Sequence, residues 1–266
     1  MKTQWIIRIS AIALVTSFIS LNLSSCKKTS GAASSGTFYF RLHTYIDSSQ
    51  VTDTTALYKD STGRHFGLTV AQFFIYNVVL QNTNGSTYTI NDAYILKDID
   101  SQLYVVGGAP PGTYNSVSFN VGLDPATNTL TPTIFAPVGS YISTSTMWYD
   151  AGNDGYMFMQ VKGFADTTAA QNGDSANFVH LSYIIASAAN LKTVTMPVRG
   201  TGSYAAYPTW TLSKDGTQII DIICDYGKLL STVNFKTQDS TDTYYFDPAL
   251  GDSAANNIPN MFRYGQ

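Results

Sequence analysis

The chain has 266 residues and a formal charge of −3, and all eighteen of its acidic residues are aspartate. That balance excludes the basic stripe that tracks nucleic-acid phosphates, so no nucleic-acid partner is expected. The absence of glutamate removes a common former of exposed helix and the usual glutamate pair of glycoside hydrolysis, while 18 tyrosines and 14 phenylalanines favour strands.

At the start of the chain, Lys2 and Arg8 flank an apolar run, Ile9 to Leu23, that holds no acidic residue. This is the plan of a secretory signal, and the run is shorter than the ~20 apolar residues that span a bilayer. It closes on Leu23-Ser24-Ser25-Cys26. A branched apolar residue, two small residues and a cysteine form a bacterial lipobox, so residues 1–25 are expected to be cleaved and Cys26 to carry the lipid. Losing Lys2 and Arg8 takes the charge from −3 to −5. The expected product is an outer-membrane lipoprotein, facing the periplasm or the cell surface, whose membrane contact is its own N-terminal lipid. With Cys26 lipidated, Cys224 has no disulfide partner within the chain, and the fold must be stabilised by its core.

Residues 26–36 read as the lipidated cysteine and a flexible tether, and residues 37–266 as one domain. Phe38, Phe40, Leu42 and Ile46 alternate with Tyr39, Arg41, His43 and Tyr45, the period-two pattern of a half-buried strand. Further strands are predicted at 68–80, 88–90, 94–99 and 103–106. After the Ala109-Pro-Pro-Gly-Thr113 turn, Val117, Phe119, Val121 and Leu123 give the clearest alternation in the chain. Residues 125–146 read as a loop-rich excursion, followed by strands at 156–164, 178–186, 192–198, 209–212 and 218–224. Asp225 can cap a short helix over 226–232, since its carboxylate can accept the free amides of a first turn. The segment after Thr237 is polar and weakly patterned. Many short strands and one or two short helices predict an all-β fold, an antiparallel immunoglobulin-like sandwich.

Three histidines, His43, His65 and His180, could bind metal or move protons near neutral pH. His65 follows Gly63 and Arg64 in an apparent loop, whereas His43 and His180 sit inside predicted strands rigid enough to hold two imidazoles on one ion. An isolated strand histidine more often serves as an ordinary hydrogen-bonding group. Asp150-Ala-Gly-Asn-Asp-Gly155 resembles an acidic calcium loop, but the twelfth position, where a bidentate glutamate belongs, is Val161. An Asx turn accounts for it. No Gly-x-Ser-x-Gly elbow, phosphate loop or dinucleotide fingerprint is present, and no enzymatic activity is expected. Met147-Trp148-Tyr149 and Tyr156-Met-Phe-Met159 form an aromatic and thioether cluster, to be read as core or as the soft surroundings of a metal.

In order along the chain stand Phe40-Arg-Leu-His43, Leu68-Thr-Val-Ala-Gln-Phe-Phe-Ile-Tyr-Asn77, Ala109-Pro-Pro-Gly-Thr-Tyr114 and Val117-Ser-Phe-Asn-Val-Gly-Leu-Asp124. Met147-Trp148, Gly155-Tyr-Met-Phe158, Val161-Lys-Gly163, Phe178-Val-His180 and Ile219 to Leu230 follow. Over most of residues 37–235 this series resembles the MbnP-like copper-binding family. The resemblance implies a β-sandwich outside the cytoplasm and copper held by histidine, here His43 and His180. It also implies a tryptophan, here Trp148, that some relatives oxidise, and a redox or copper-handling partner protein. One tryptophan stands where members commonly show two, and Lys162 stands where they show an acidic residue. The alternative reading is a lipid-anchored recognition or adhesion module for carbohydrate or protein, in which the sandwich persists without the metal. The two differ in whether His43 and His180 converge.

Overall fold

The computed structural model describes residues 35–60, 62–91, 93–100, 102–130, 147–150, 155–235 and 248–265. Residues 1–34, with the signal segment and Cys26, lie outside the described residues, as do residues 151–154 of the acidic loop. Strands dominate the described residues, and apart from the short antiparallel pair of Trp148–Asp150 with Gly155–Tyr156 they form two sheets that share one core.

The front sheet is built around Gly36–Ile46. Its Phe38, Phe40 and Leu42 are fully buried while Tyr39, Arg41 and His43 face outward, as period-two alternation requires. On one side it pairs with Thr217–Asp225, which in turn pairs with Phe262–Tyr264. On the other side it pairs with Gln102–Ala109 and, at its far end, with Ser49–Gln50. The pairing with Thr217–Asp225 is parallel, from Thr37 opposite Thr217 to Tyr45 opposite Asp225, so segments about 180 residues apart lie side by side. The other pairings of this sheet are antiparallel.

The back sheet runs Phe178–Ile185, Met159–Asp166, His65–Asn82, Gly112–Val121 and Lys192–Thr195, with shorter strands added to the third and fourth of these. The sheets meet through aromatic rings. Phe40 lies 5.8 Å from Phe119 between centroids, and Phe262 packs edge-on against both Phe73 and Phe119. Burying each such ring contributes roughly 2 kcal/mol, which explains why the fold needs no disulfide and leaves Cys224 free and buried.

His65–Asn82 is covered on both faces in its middle. Phe73 and Ile75 point into the shared core, whereas Phe74 joins a second cluster on the back sheet's outer face with Met147, Tyr156, Phe158 and Ile184. Of the aromatic and thioether segment noted in the sequence, Met147, Tyr156, Met157 and Phe158 therefore pack as a core of their own, while Met159 points into the shared core. The strand bends where Asn77 takes φ +53 and the register with Gly112–Val121 shifts between Tyr76 and Val79. A second irregularity falls at Gly163, where an added Cβ would stand 1.9 Å from the Gly67 carbonyl oxygen.

The structure differs from the sequence expectation at three places. His65 is the first residue of a strand rather than part of a loop. The segment after Thr237 is not weakly structured where it is described: Pro248–Asn256 is helical, and Phe262 and Tyr264 are buried in the last strand of the front sheet. The expected helix over 226–232 is shorter, Tyr226–Leu229, and Asp225 caps it by accepting the Gly227 amide.

Candidate functional site

On the outer face of the front sheet, parallel register sets Arg41 directly opposite Asp221 and His43 opposite Ile223, so that both side chains on this face can reach the Asp221 carboxylate. Asp221 Oδ1 accepts from Arg41 Nη1 at 3.2 Å and lies 3.0 Å from His43 Nε2. A carboxylate is an acceptor only, so the tautomer that satisfies it carries the proton on Nε2, which leaves a lone pair on His43 Nδ1. Both side chains are partly exposed.

Next to His43 opens a cavity of about 420 Å³. Four tyrosines wall it: Tyr45 from the first strand, Tyr264 from the last, and Tyr204 and Tyr207 from the turn that follows Thr201. His43, Gln50 and Arg263 supply its polar lining. Arg263 donates through Nη1 to Asp225 Oδ2 at 3.3 Å and through Nη2 to the Asp47 carbonyl at 3.1 Å, and its guanidinium lies 5.4 Å from the Tyr45 ring centroid.

The tyrosine turn is held from beneath. The Arg199 guanidinium lies 4.5 Å from the Trp210 ring, 5.2 Å from Tyr264 and 5.4 Å from Tyr207. Burial among those rings lowers its pKa below the ordinary arginine value. The Tyr264 hydroxyl donates to the Pro197 carbonyl at 2.9 Å, and burial raises the pKa of that phenol. Cation and rings together fix the wall before any ligand arrives.

The structure does not bring His43 and His180 together. His180 lies on the back sheet, in register with Phe164, and is exposed on that sheet's outer face, since its neighbour Leu181 points into the shared core. The two histidines therefore face away from one another on opposite outer surfaces of the sandwich. His65 is separate again, its Nδ1 lying 2.8 Å from the Gln171 carbonyl oxygen, where the ring closes a turn.

Trp148 is half-buried in the second cluster and meets the Tyr156 ring edge-on at 4.9 Å. It shares the back sheet's outer face with His180, yet Ile184, the nearest member of that cluster on the same strand, stands four residues away, roughly 13 Å along the chain. Among the described residues, no group of three or more His, Cys, Asp or Glu side chains is placed to hold a metal ion. A copper ion shared by His43 and His180 does not fit this geometry.

Asp221 and the tyrosine turn are what the sequence reading missed. The turn carries no periodicity, but Asp221 left a trace: a carboxylate set between the apolar pairs Ile219-Ile220 and Ile222-Ile223.

The MbnP family model matches residues 35–245. A search of curated proteins finds no match. Among solved structures, MbnP from Methylosinus trichosporium is similar at 15% sequence identity and a TM-score of 0.49, over 74% of this chain and 78% of that one. The family match spans well over half of the sequence and takes in the back sheet, the front sheet apart from Phe262–Tyr264, and His43, Trp148 and His180: the chain belongs to the MbnP family.

Proposed function

We propose that this protein is a lipid-tethered, non-enzymatic binding protein outside the cytoplasm, and that its ligand is taken up in the tyrosine-walled cavity beside His43. The cavity is the observation that carries this reading. Its volume of about 420 Å³ falls within the ~300–1,000 Å³ of small-molecule sites, and its rings and planar polar groups converge from four separate segments of the fold. The lipobox at Cys26 and the tether after it support attachment to the outer membrane.

A second reading keeps copper, and one contact favours it. Metal-bound histidines commonly hand their other ring N–H to a carboxylate, and His43 does this to Asp221, which leaves Nδ1 available. His43 would then be a single protein ligand, with the remaining positions filled by water or by the incoming molecule, and His180 would play no part.

A titration with Cu(I) and Cu(II), reading the metal retained after desalting, separates the two. The cavity reading expects wild type and His43→Ala alike to retain no stoichiometric copper. One equivalent held by wild type and lost in His43→Ala, with His180→Ala unchanged, would sink it in favour of the second reading.

A further inference from the structure

We propose that the cavity beside His43 is a carbohydrate site that takes a pyranose unit of a neutral glycan. The proposal rests on the binding-protein reading above and names the class of its ligand.

A pyranose presents two chemistries, C–H bonds across its faces and hydroxyls around its edge, and the cavity offers a surface for each. Tyr45, Tyr204 and Tyr207 are half-buried, so part of each ring is covered by protein and part remains open to the cavity. An aromatic face carries negative charge density that attracts polarised C–H groups, and tyrosine loses little conformational entropy on binding. Trp210, by contrast, is sealed beneath Arg199 and serves as a support.

The polar lining suits the sugar edge. His43, Gln50 and Arg263 are planar groups that can each meet hydroxyls in plane. Among the described residues, Asp225 and the Asp47 carbonyl engage two of the five N–H donors of Arg263, which leaves others for a pair of vicinal hydroxyls. His43 is oriented by Asp221, which engages Nε2 and leaves Nδ1 for a sugar hydroxyl.

Charge selects the neutral class. Arg41 is paired with Asp221 at 3.2 Å and Arg263 with Asp225 at 3.3 Å, so these two arginines already meet carboxylates, while the Arg199 cation lies against the rings of Tyr207, Trp210 and Tyr264 behind the wall. A phosphorylated or polyuronate ligand would find no surplus of positive charge, in a chain whose net charge is already −3. A peptide side chain would need a deep apolar slot, whereas Ile223 is the one aliphatic residue in the lining.

Calorimetry on the full-length lipoprotein in lauryldimethylamine oxide, a detergent without a sugar headgroup, tests the proposal. The probes are maltotriose, cellotriose, xylotriose, mannotriose and chitotriose, with trigalacturonate as the charged comparison. At least one neutral trisaccharide should bind with a Kd of ~1 mM or tighter. Tyr207→Ala and Arg263→Met should each weaken that binding by about tenfold or more, whereas His180→Ala on the opposite face should not change it. Gln50→Ala, at the exposed rim, repeats the test should a larger change fail to fold, with a loss of about threefold or more expected.

Absence of binding by every neutral trisaccharide overturns the carbohydrate class alone, and the copper titration then decides the fate of the cavity. Tighter binding of trigalacturonate than of any neutral sugar overturns the charge argument and the class with it. Glycan binding that survives all the cavity substitutions overturns both the class and the cavity reading.

Discussion

Lys97 carries an amine into the space between the sheets, where it is fully buried opposite Phe73 and donates to Thr44 Oγ1 and to the carbonyl oxygens of Asp98 and Asp100. Desolvation lowers its pKa from 10.5 to about 8. Below pH 8 the folded and unfolded chains are both protonated there, and the folded state bears the whole cost of the buried charge. Between 8 and 10.5 the folded state releases its proton first, so stability rises with pH across that window by up to roughly 3 kcal/mol. Cys224 acts in the opposite sense: burial raises its thiol from 9 to about 12, so stability falls as the unfolded thiol ionises above pH 9. Urea midpoints should therefore rise from pH 7.5 to about 9 and then flatten, and Lys97→Met should abolish the rise; a variant that keeps it would refute the assignment to Lys97. At this scale the sequence was legible for alternation and blind to partnership. It put His43 on the polar face of its strand, but nothing in the spacing of residues 43 and 221 announces that parallel register joins them.

Asn77 illustrates what an element demands of one residue. At φ +53 in mid-strand it occupies the left-handed region, which an Asn tolerates and a β-branched residue does not. Asn77→Val should cost roughly 1–2 kcal/mol in thermal unfolding, and Asn77→Gly should cost nothing or add slightly; equal melting of the two variants would contradict the bulge. The strand pattern around Val117–Leu123 could be read directly, because Val117, Phe119 and Val121 alternate with the small or polar Ser118, Asn120 and Gly122, although Asn120 and Gly122 are themselves buried. The last strand could not, since three residues, Phe262–Tyr264, are too few to show a period. Its preceding helix, Pro248–Asn256, has Leu250 as its one large apolar residue among Pro, Ala, Gly, Asp, Ser and Asn, with little of the apolar periodicity that marks a helix. The antiparallel sandwich was thus expected from composition and turn spacing, while the one parallel pairing was not, because alternation does not say which strand is the neighbour.

At the scale of the whole molecule, the proposed lipid attachment at Cys26 and the cavity residues lie in separate parts of the sequence. Replacing the lipobox cysteine, Cys26→Ala, should move the protein from the membrane to the soluble extracytoplasmic fraction, with calorimetric binding at the cavity unchanged. Retention in the membrane fraction would refute the lipoprotein assignment.

The parallel pairing also sets a timetable. A chain exported through a narrow translocon crosses unfolded and N-terminus first, and the lining of this cavity needs His43 from the first strand, Ile223 from a strand about 180 residues later and Tyr264 from the closing one. Contacts of such long sequence separation form late and slowly. Under the proposed export the site is therefore blind throughout its passage: no ligand on the inner side of the membrane could load it, and whatever it collects would be met after release.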